Sequence, residues 1–148
     1  MKKLIIIGSS GFVGKSLNEY IRSNKTTISK IYNYSRSEKK NFFKQKKMPV
    51  SDYIIYCINK NNINKSLKIF LHFKKLLKGY SKKVKIIFFS SGAVYGPRSK
   101  NKKFYEKSKI TDNYKKFKGY KKIYAKEKVR LEKEFKKISK EGYNVSIV

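Results

Sequence analysis

The run Leu4-Ile5-Ile6-Ile7 leading into Gly8-Ser9-Ser10-Gly11-Phe12-Val13-Gly14 decides the fold. Four consecutive large aliphatics suit a strand buried on both faces, as in a parallel sheet, and the glycines begin where such a strand would end. The segment from Lys15 to Arg22 then reads as a helix. A buried strand, a glycine turn and a helix in that order make the first unit of an α/β, Rossmann-like, doubly wound parallel sheet. In such a turn Gly8 allows the tight bend, Gly11 lets backbone N–H groups approach a pyrophosphate, and Gly14 lets the new helix pack closely. The unpaired N–H groups of the helix start would face the phosphates. The alternative for the same residues is a strand-to-helix turn with no ligand.

Working outward, the 148 residues suit one domain, 1–148, long enough to bury a core. Hydrophobic residues at 39% and aromatics at 15% are too many for a disordered chain. A net charge of +30, from 39 Lys and Arg against 9 Asp and Glu, raises a basic nucleic-acid-binding protein as one reading. Against it, the lysines are scattered through nearly every segment, only four basic residues are Arg, and no nucleic-acid recognition signature is present. Lys, Asn, Ile, Tyr and Phe are over-used together, as A/T-rich codons would produce, so no specific nucleic-acid partner is expected. Cys57 and His72 are the only residues of their kinds, which excludes disulfide frameworks and Cys/His zinc sites. No metal is expected. The N-terminal apolar run is too short for a signal core or a membrane span, so a cytoplasmic protein with no membrane partner is expected.

Ile28 to Tyr34 reads as the second strand, ending at Ser35-Arg36-Ser37. In dinucleotide folds a carboxylate here holds the adenosine ribose, whereas an Arg accommodates a 2′-phosphate. Ser35 and Arg36 with no carboxylate favour NADP over NAD. The interval before the next strand, Asp52 to Ile58, is too short for a helix, a strand and a second helix, so a third strand near Phe42 should be reduced to a few residues or absent. A helix follows from Ser66 to Lys78, closed by Gly79, with His72 a packing or surface residue; then come a buried strand from Val84 to Phe89 and Ser90-Ser91-Gly92-Ala93-Val94-Tyr95-Gly96. Arg98 to Gly119 is a polar loop or lid, Tyr120 to Lys140 a helix capped by Gly142, and Asn144 to Val148 a last strand.

Tyr124 and Lys128 lie four apart, on one face of that helix about 6 Å apart along its axis. Lowering a phenol pKa by about three units takes roughly 4 kcal/mol, which an ammonium at about 4 Å supplies at an effective dielectric near 20. Tyr124 would then exchange a proton with a substrate hydroxyl during hydride transfer. Ser91, just past a strand's carboxyl end, would hydrogen-bond the same oxygen. Taken alone, the Tyr–Lys spacing also fits a solvated helix face.

The ordered set of GSSGFVG, SSGAVYG and YAKEK, with Glu132 following, resembles the extended short-chain dehydrogenase/reductase family of NAD(P)-dependent nucleotide-sugar epimerases and dehydratases. The resemblance spans the whole chain. It implies Ser91, Tyr124 and Lys128 as catalytic residues. It implies that Gly8, Ser10, Gly11, Phe12, Val13 and Gly14, with Ser35, Arg36 and Lys128, bind the cofactor, and that the substrate is a nucleotide sugar. The chain departs from the family in its curtailed third-strand region, the missing carboxylate after the second strand, the long lysine-rich loop before Tyr124, and its end at the family's sixth strand, before a C-terminal substrate lobe. The expectation is the N-terminal half of such an enzyme, completed by a separate chain or a homo-oligomer, that by itself binds cofactor without turnover. The alternative is a non-catalytic NAD(P)-binding remnant.

Overall fold

In the computed structural model, which describes residues 1–35, 41–97, 108, 110 and 112–148, the first apolar run forms β1 (Lys2–Ile7), with Leu4 through Ile7 buried. It is followed by α1 (Phe12–Ser23), β2 (Ile28–Tyr34), β3 (Tyr53–Tyr56), α2 (Ile63–Leu77), β4 (Lys85–Phe88), α3 (Gly119–Lys140) and β5 (Asn144–Ile147). The five strands pair in parallel in the order β2-β1-β3-β4-β5. The sheet is doubly wound. Leu17 and Ile21 of α1 pack on Leu4, Ile6 and Ile55 on one face, while α2 and α3 pack on Ile5, Ile7, Ile54 and Ile86 on the other. The chain therefore changes direction between β1 and β3, and open sheets of this kind leave a crevice at the strand ends there.

The expected reduction of the third strand is found. Between β2 and β3 the only pairing among the described residues is a single parallel bridge, Ser35 to Asn41, followed by a 3-10 turn, Phe42–Lys44. Phe42 is buried against Tyr34 and His72, with ring centroids 5.7 and 5.2 Å away. His72 also meets the Phe42 carbonyl at 3.0 Å, so it is a packing residue as expected. The last strand, expected as the sixth, is the fifth of the described sheet, because among the described residues only the Ser35–Asn41 bridge stands where a third strand was expected.

The larger core layer is built on aromatics. Tyr56, Phe70, Phe73, Phe88 and Phe135 are all buried, and Phe88 and Phe135 stack at 4.5 Å with 12° between planes. Face-to-edge contacts fill the rest, Phe70 on Phe135 at 5.1 Å and Tyr56 on Phe135 at 5.2 Å. On the α1 face Tyr53, Ile87 and Phe89 stay half-buried, because among the described residues α1 is the only helix there.

Helix ends differ from expectation by a few residues. α1 starts at Phe12 with Gly11 as its N-cap. α2 starts at Ile63 because the Asn62 side chain accepts from the Lys65 N–H. Gly79 is not a left-handed cap, since α2 ends at Lys78 in right-handed geometry, whereas Gly142, at φ +93°, ends α3 as expected. Most of the expected 98–119 loop lies outside the described residues, apart from a 3-10 turn, Asp112–Lys116. No described helix is long and apolar enough to cross a membrane.

Candidate functional site

The glycine loop is held from both sides of the switch point. The N–H groups of Gly8 and Ser9 donate to the Tyr34 carbonyl at 2.9 and 3.1 Å, which ties the loop to the end of β2. Gly8 has φ +104°, and a Cβ there would lie 3.0 Å from the Cys57 carbonyl carbon at the end of β3. Only glycine meets both conditions. At Gly14 a Cβ would sit 2.4 Å from the Gly8 oxygen and 2.7 Å from Ser9 Cα, so the helix packs on the loop itself rather than on the strand. At Gly11 the nearest atom is 3.4 Å away, the residue is exposed, and the helix start has neither a side-chain cap nor an acidic residue in its first turn. Uncapped N–H groups with positive dipole character are what a pyrophosphate requires.

This loop opens on a cavity of about 680 Å³ whose wall includes Gly8, Ser10, Gly11, Ser35 and Cys57. Phe12 and Val13, expected at the cofactor, occupy the first turn of α1; Phe12 is exposed and Val13 half-buried. Ser35 lies in the cavity wall, whereas Arg36 lies outside the described residues. The Cys57 thiol is within 3.4 Å of the Ile7 carbonyl and 3.6 Å of the Gly8 carbonyl. Burial pushes its pKa up to about 11, partly offset by the Lys128 ammonium.

The second group of expected residues sits at the end of β4 and on α3. Ser91 caps the 3-10 turn Gly92–Tyr95, its Oγ accepting from the Ala93 N–H at 3.2 Å. It lines a separate cavity of about 1410 Å³ together with Glu132 and Val148. Lys128 is 4% exposed and is the one buried lysine among those described. Its Nζ donates to the Phe89 carbonyl at 2.7 Å and stands 5.8 Å from the ring centre of Tyr124. Burial lowers its pKa, against the raising effects of Glu127, Cys57 and Glu132. Tyr124 is half-buried and stacks on Tyr120 at 6.4 Å. Among the described residues no hydrogen bond joins Ser91, Tyr124 and Lys128 to one another. Tyr124 and Lys128 share one helix face, and the Phe89 contact brings Lys128 to the strand end that carries Ser91.

Two acids that sequence reasoning left without a role hold this arrangement. Glu127, 1% exposed, accepts from the N–H groups of Lys60 and Asn62 at 3.1 and 2.9 Å and from the Ser66 hydroxyl at 2.7 Å. It binds the loop after β3 to the helix that carries Tyr124. Glu132, also buried, accepts from the Ser90 hydroxyl and lies 3.6 Å from Lys136 Nζ. The available signal was scarcity: in a chain with nine acids, one immediately precedes Lys128 and another follows it by one helical turn.

No protein-family model matches the sequence, and no curated protein matches it either. Solved structures do. RMD from Pseudomonas aeruginosa, complexed with NADPH, superposes with a TM-score of 0.72 at 21% identity over 99% of this chain and 52% of that one. dTDP-glucose 4,6-dehydratase from Bacillus anthracis, in complex with NAD, gives 0.65 at 14% identity over 99% and 54%. UDP-N-acetylglucosamine 4-epimerase from Methanobrevibacter ruminantium, in complex with UDP-N-acetylmuramic acid, gives 0.61 at 20% identity over 99% and 53%. The chain spans about half the length of these structures. At such identities the likeness is one of fold, and that fold is the one the motif order pointed to.

Proposed function

We propose that this chain binds NADP or NAD and forms the cofactor-binding half of an epimerase, dehydratase or reductase of the extended short-chain dehydrogenase type, acting on a nucleotide sugar. The observation that carries the reading is the cradle at Gly14, where backbone packs so closely that no side chain fits, beside an exposed, uncapped helix start at Gly11. The fold of the NADPH- and NAD-bound structures supports it. Gly8, Ser10, Gly11 and Gly14, with Phe12 and Val13 beside them, would hold the pyrophosphate, and Ser35 the adenosine ribose.

When bound, the nicotinamide accepts a hydride from a carbon or delivers one to it. Tyr124 would hold and move the proton at the sugar hydroxyl, Ser91 would orient that oxygen, and the Lys128 ammonium, fixed at the end of β4, would favour the phenolate. A separate chain or a second copy supplying the opposite wall of the sugar cleft belongs to the same proposal. A second reading, a non-catalytic NAD(P)-binding protein, is favoured by one observation: Lys128 Nζ is already engaged by the Phe89 carbonyl.

The test is conversion of a panel of nucleotide sugars with NADPH or NAD present, over a range of protein concentrations. Turnover abolished in Tyr124→Phe, with cofactor binding retained, supports the enzyme. Turnover indifferent to that substitution overturns the proton role, and cofactor binding with no turnover at any concentration overturns completion by a second copy, leaving a separate chain or the second reading.

A further inference from the structure

The cavity beside the glycine loop has a basic wall that hydride chemistry does not use. Lys65 and Lys68 stand three apart on α2, on the face whose Ile69 forms part of the same wall. Both are exposed, and among the described residues neither forms an ion pair. Among the described residues no carboxylate lines this cavity, and its other side carries Ser35, at the end of β2, and Asn41. With the third strand reduced to the Ser35–Asn41 bridge, α2 and the end of β2 face one space.

We propose that Lys65 and Lys68 form a seat for a phosphate monoester, the 2′-phosphate of the adenosine ribose, so that α2 sets a preference for NADP. This rests on the cofactor-binding reading above. A phosphate monoester carries close to two negative charges at neutral pH and offers three acceptor oxygens, which two ammonium groups on adjacent turns match. The ribose diol of NAD is instead held by a carboxylate in folds of this kind, and none stands in the wall among the described residues. Long, flexible lysine stems reach across such a cavity without a fixed geometry.

The experiment is calorimetric titration of the full chain with NADPH and NADH, and with adenosine 2′,5′-bisphosphate and 5′-AMP as probes that lack nicotinamide. It compares wild type, Lys65→Gln, Lys68→Gln, the double variant and Arg36→Ala. The 2′-phosphorylated member of each pair is expected to bind more tightly to wild type. Each lysine variant should lose about tenfold in NADPH affinity, and the double variant should lose most of the preference, with NADH affinity falling much less. A preference that survives the double variant, or disappears only in Arg36→Ala, overturns the seat on α2 and leaves the cofactor reading standing. Equal affinity of wild type for NADPH and NADH does the same. Failure of wild type to bind either cofactor overturns both.

Discussion

Lys128 Nζ donates a 2.7 Å hydrogen bond to the carbonyl oxygen of Phe89, the residue at which β4 gives way to Ser90 and Ser91. A buried ammonium thus joins the middle of α3 to the strand end, and its desolvation is answered by that carbonyl, by the Phe88 ring 5.1 Å away and by the neighbouring acids.

This predicts a pH signature. Burial lowers the Lys128 pKa in the folded chain, so between that lowered value and the ordinary lysine value near 10.5 the unfolded chain holds more protons. Stability contributed by this group therefore rises with pH through that window. Tyr34 and Tyr80, raised by burial, act oppositely at higher pH but equally in wild type and variant. The difference in urea stability between wild type and Lys128→Met should shift in favour of wild type as pH rises. Parallel stability curves for the two proteins would contradict it.

Gly14 and Gly11 should respond differently to the same methyl group. Gly14→Ala forces backbone apart at a 2.4 Å contact and should cost at least about 1–3 kcal/mol. Gly11→Ala meets nothing closer than 3.4 Å and should cost less than Gly14→Ala, no more than about 1 kcal/mol from the N-cap preference for glycine over alanine. Denaturant midpoints for the pair decide it, and equal losses would show that the close packing has been misplaced.

Glu127 answers three donors at once, so Glu127→Ala should destabilise by roughly 3 kcal/mol, because the Ser66 hydroxyl and two N–H groups lose their acceptor. Glu127→Gln keeps one acceptor oxygen and should lose less. If the two variants unfold at the same denaturant concentration as wild type, the loop after β3 is not held from α3.

The Tyr56 hydroxyl is buried without a hydrogen-bond partner among the described residues, and burial raises its pKa. Tyr56→Phe should therefore be neutral or stabilise by up to about 1 kcal/mol, whatever the general cost of core substitutions. A clear loss of stability on thermal unfolding would mean that the hydroxyl does have a partner.

β1, β3 and β4 were legible because their apolar runs are nearly unbroken; β2 was read to its residue bounds from alternation and its β-branched and aromatic residues, and the reduced third strand followed from the short interval after Ser35. The start of α1 was less legible, since Gly11 caps without a side chain. Tyr124 and Lys128 could be placed on one helix face from spacing alone. Their separation from Ser91 could not, because it depends on where α3 docks on β4. Glu127 acts largely through backbone N–H groups of a distant loop, which leave no trace in residue type. Lys65 and Lys68 were invisible for the opposite reason: in a chain with 39 Lys and Arg, two that face a cavity look like the rest.

The central claim is that the uncapped start of α1 receives a cofactor pyrophosphate, and Gly11→Asp tests it most directly. An aspartate at an N-cap stabilises a helix, by a few tenths of a kcal/mol over glycine, yet it places a negative charge where the phosphates belong. The measurement is a paired one on wild type and variant: thermal unfolding without ligand, and titration with NADPH. The predicted result is saturable one-to-one binding by wild type, weakened more than about tenfold in a variant that is at least as stable. Binding of equal strength in the two proteins, or none in wild type, would contradict the account.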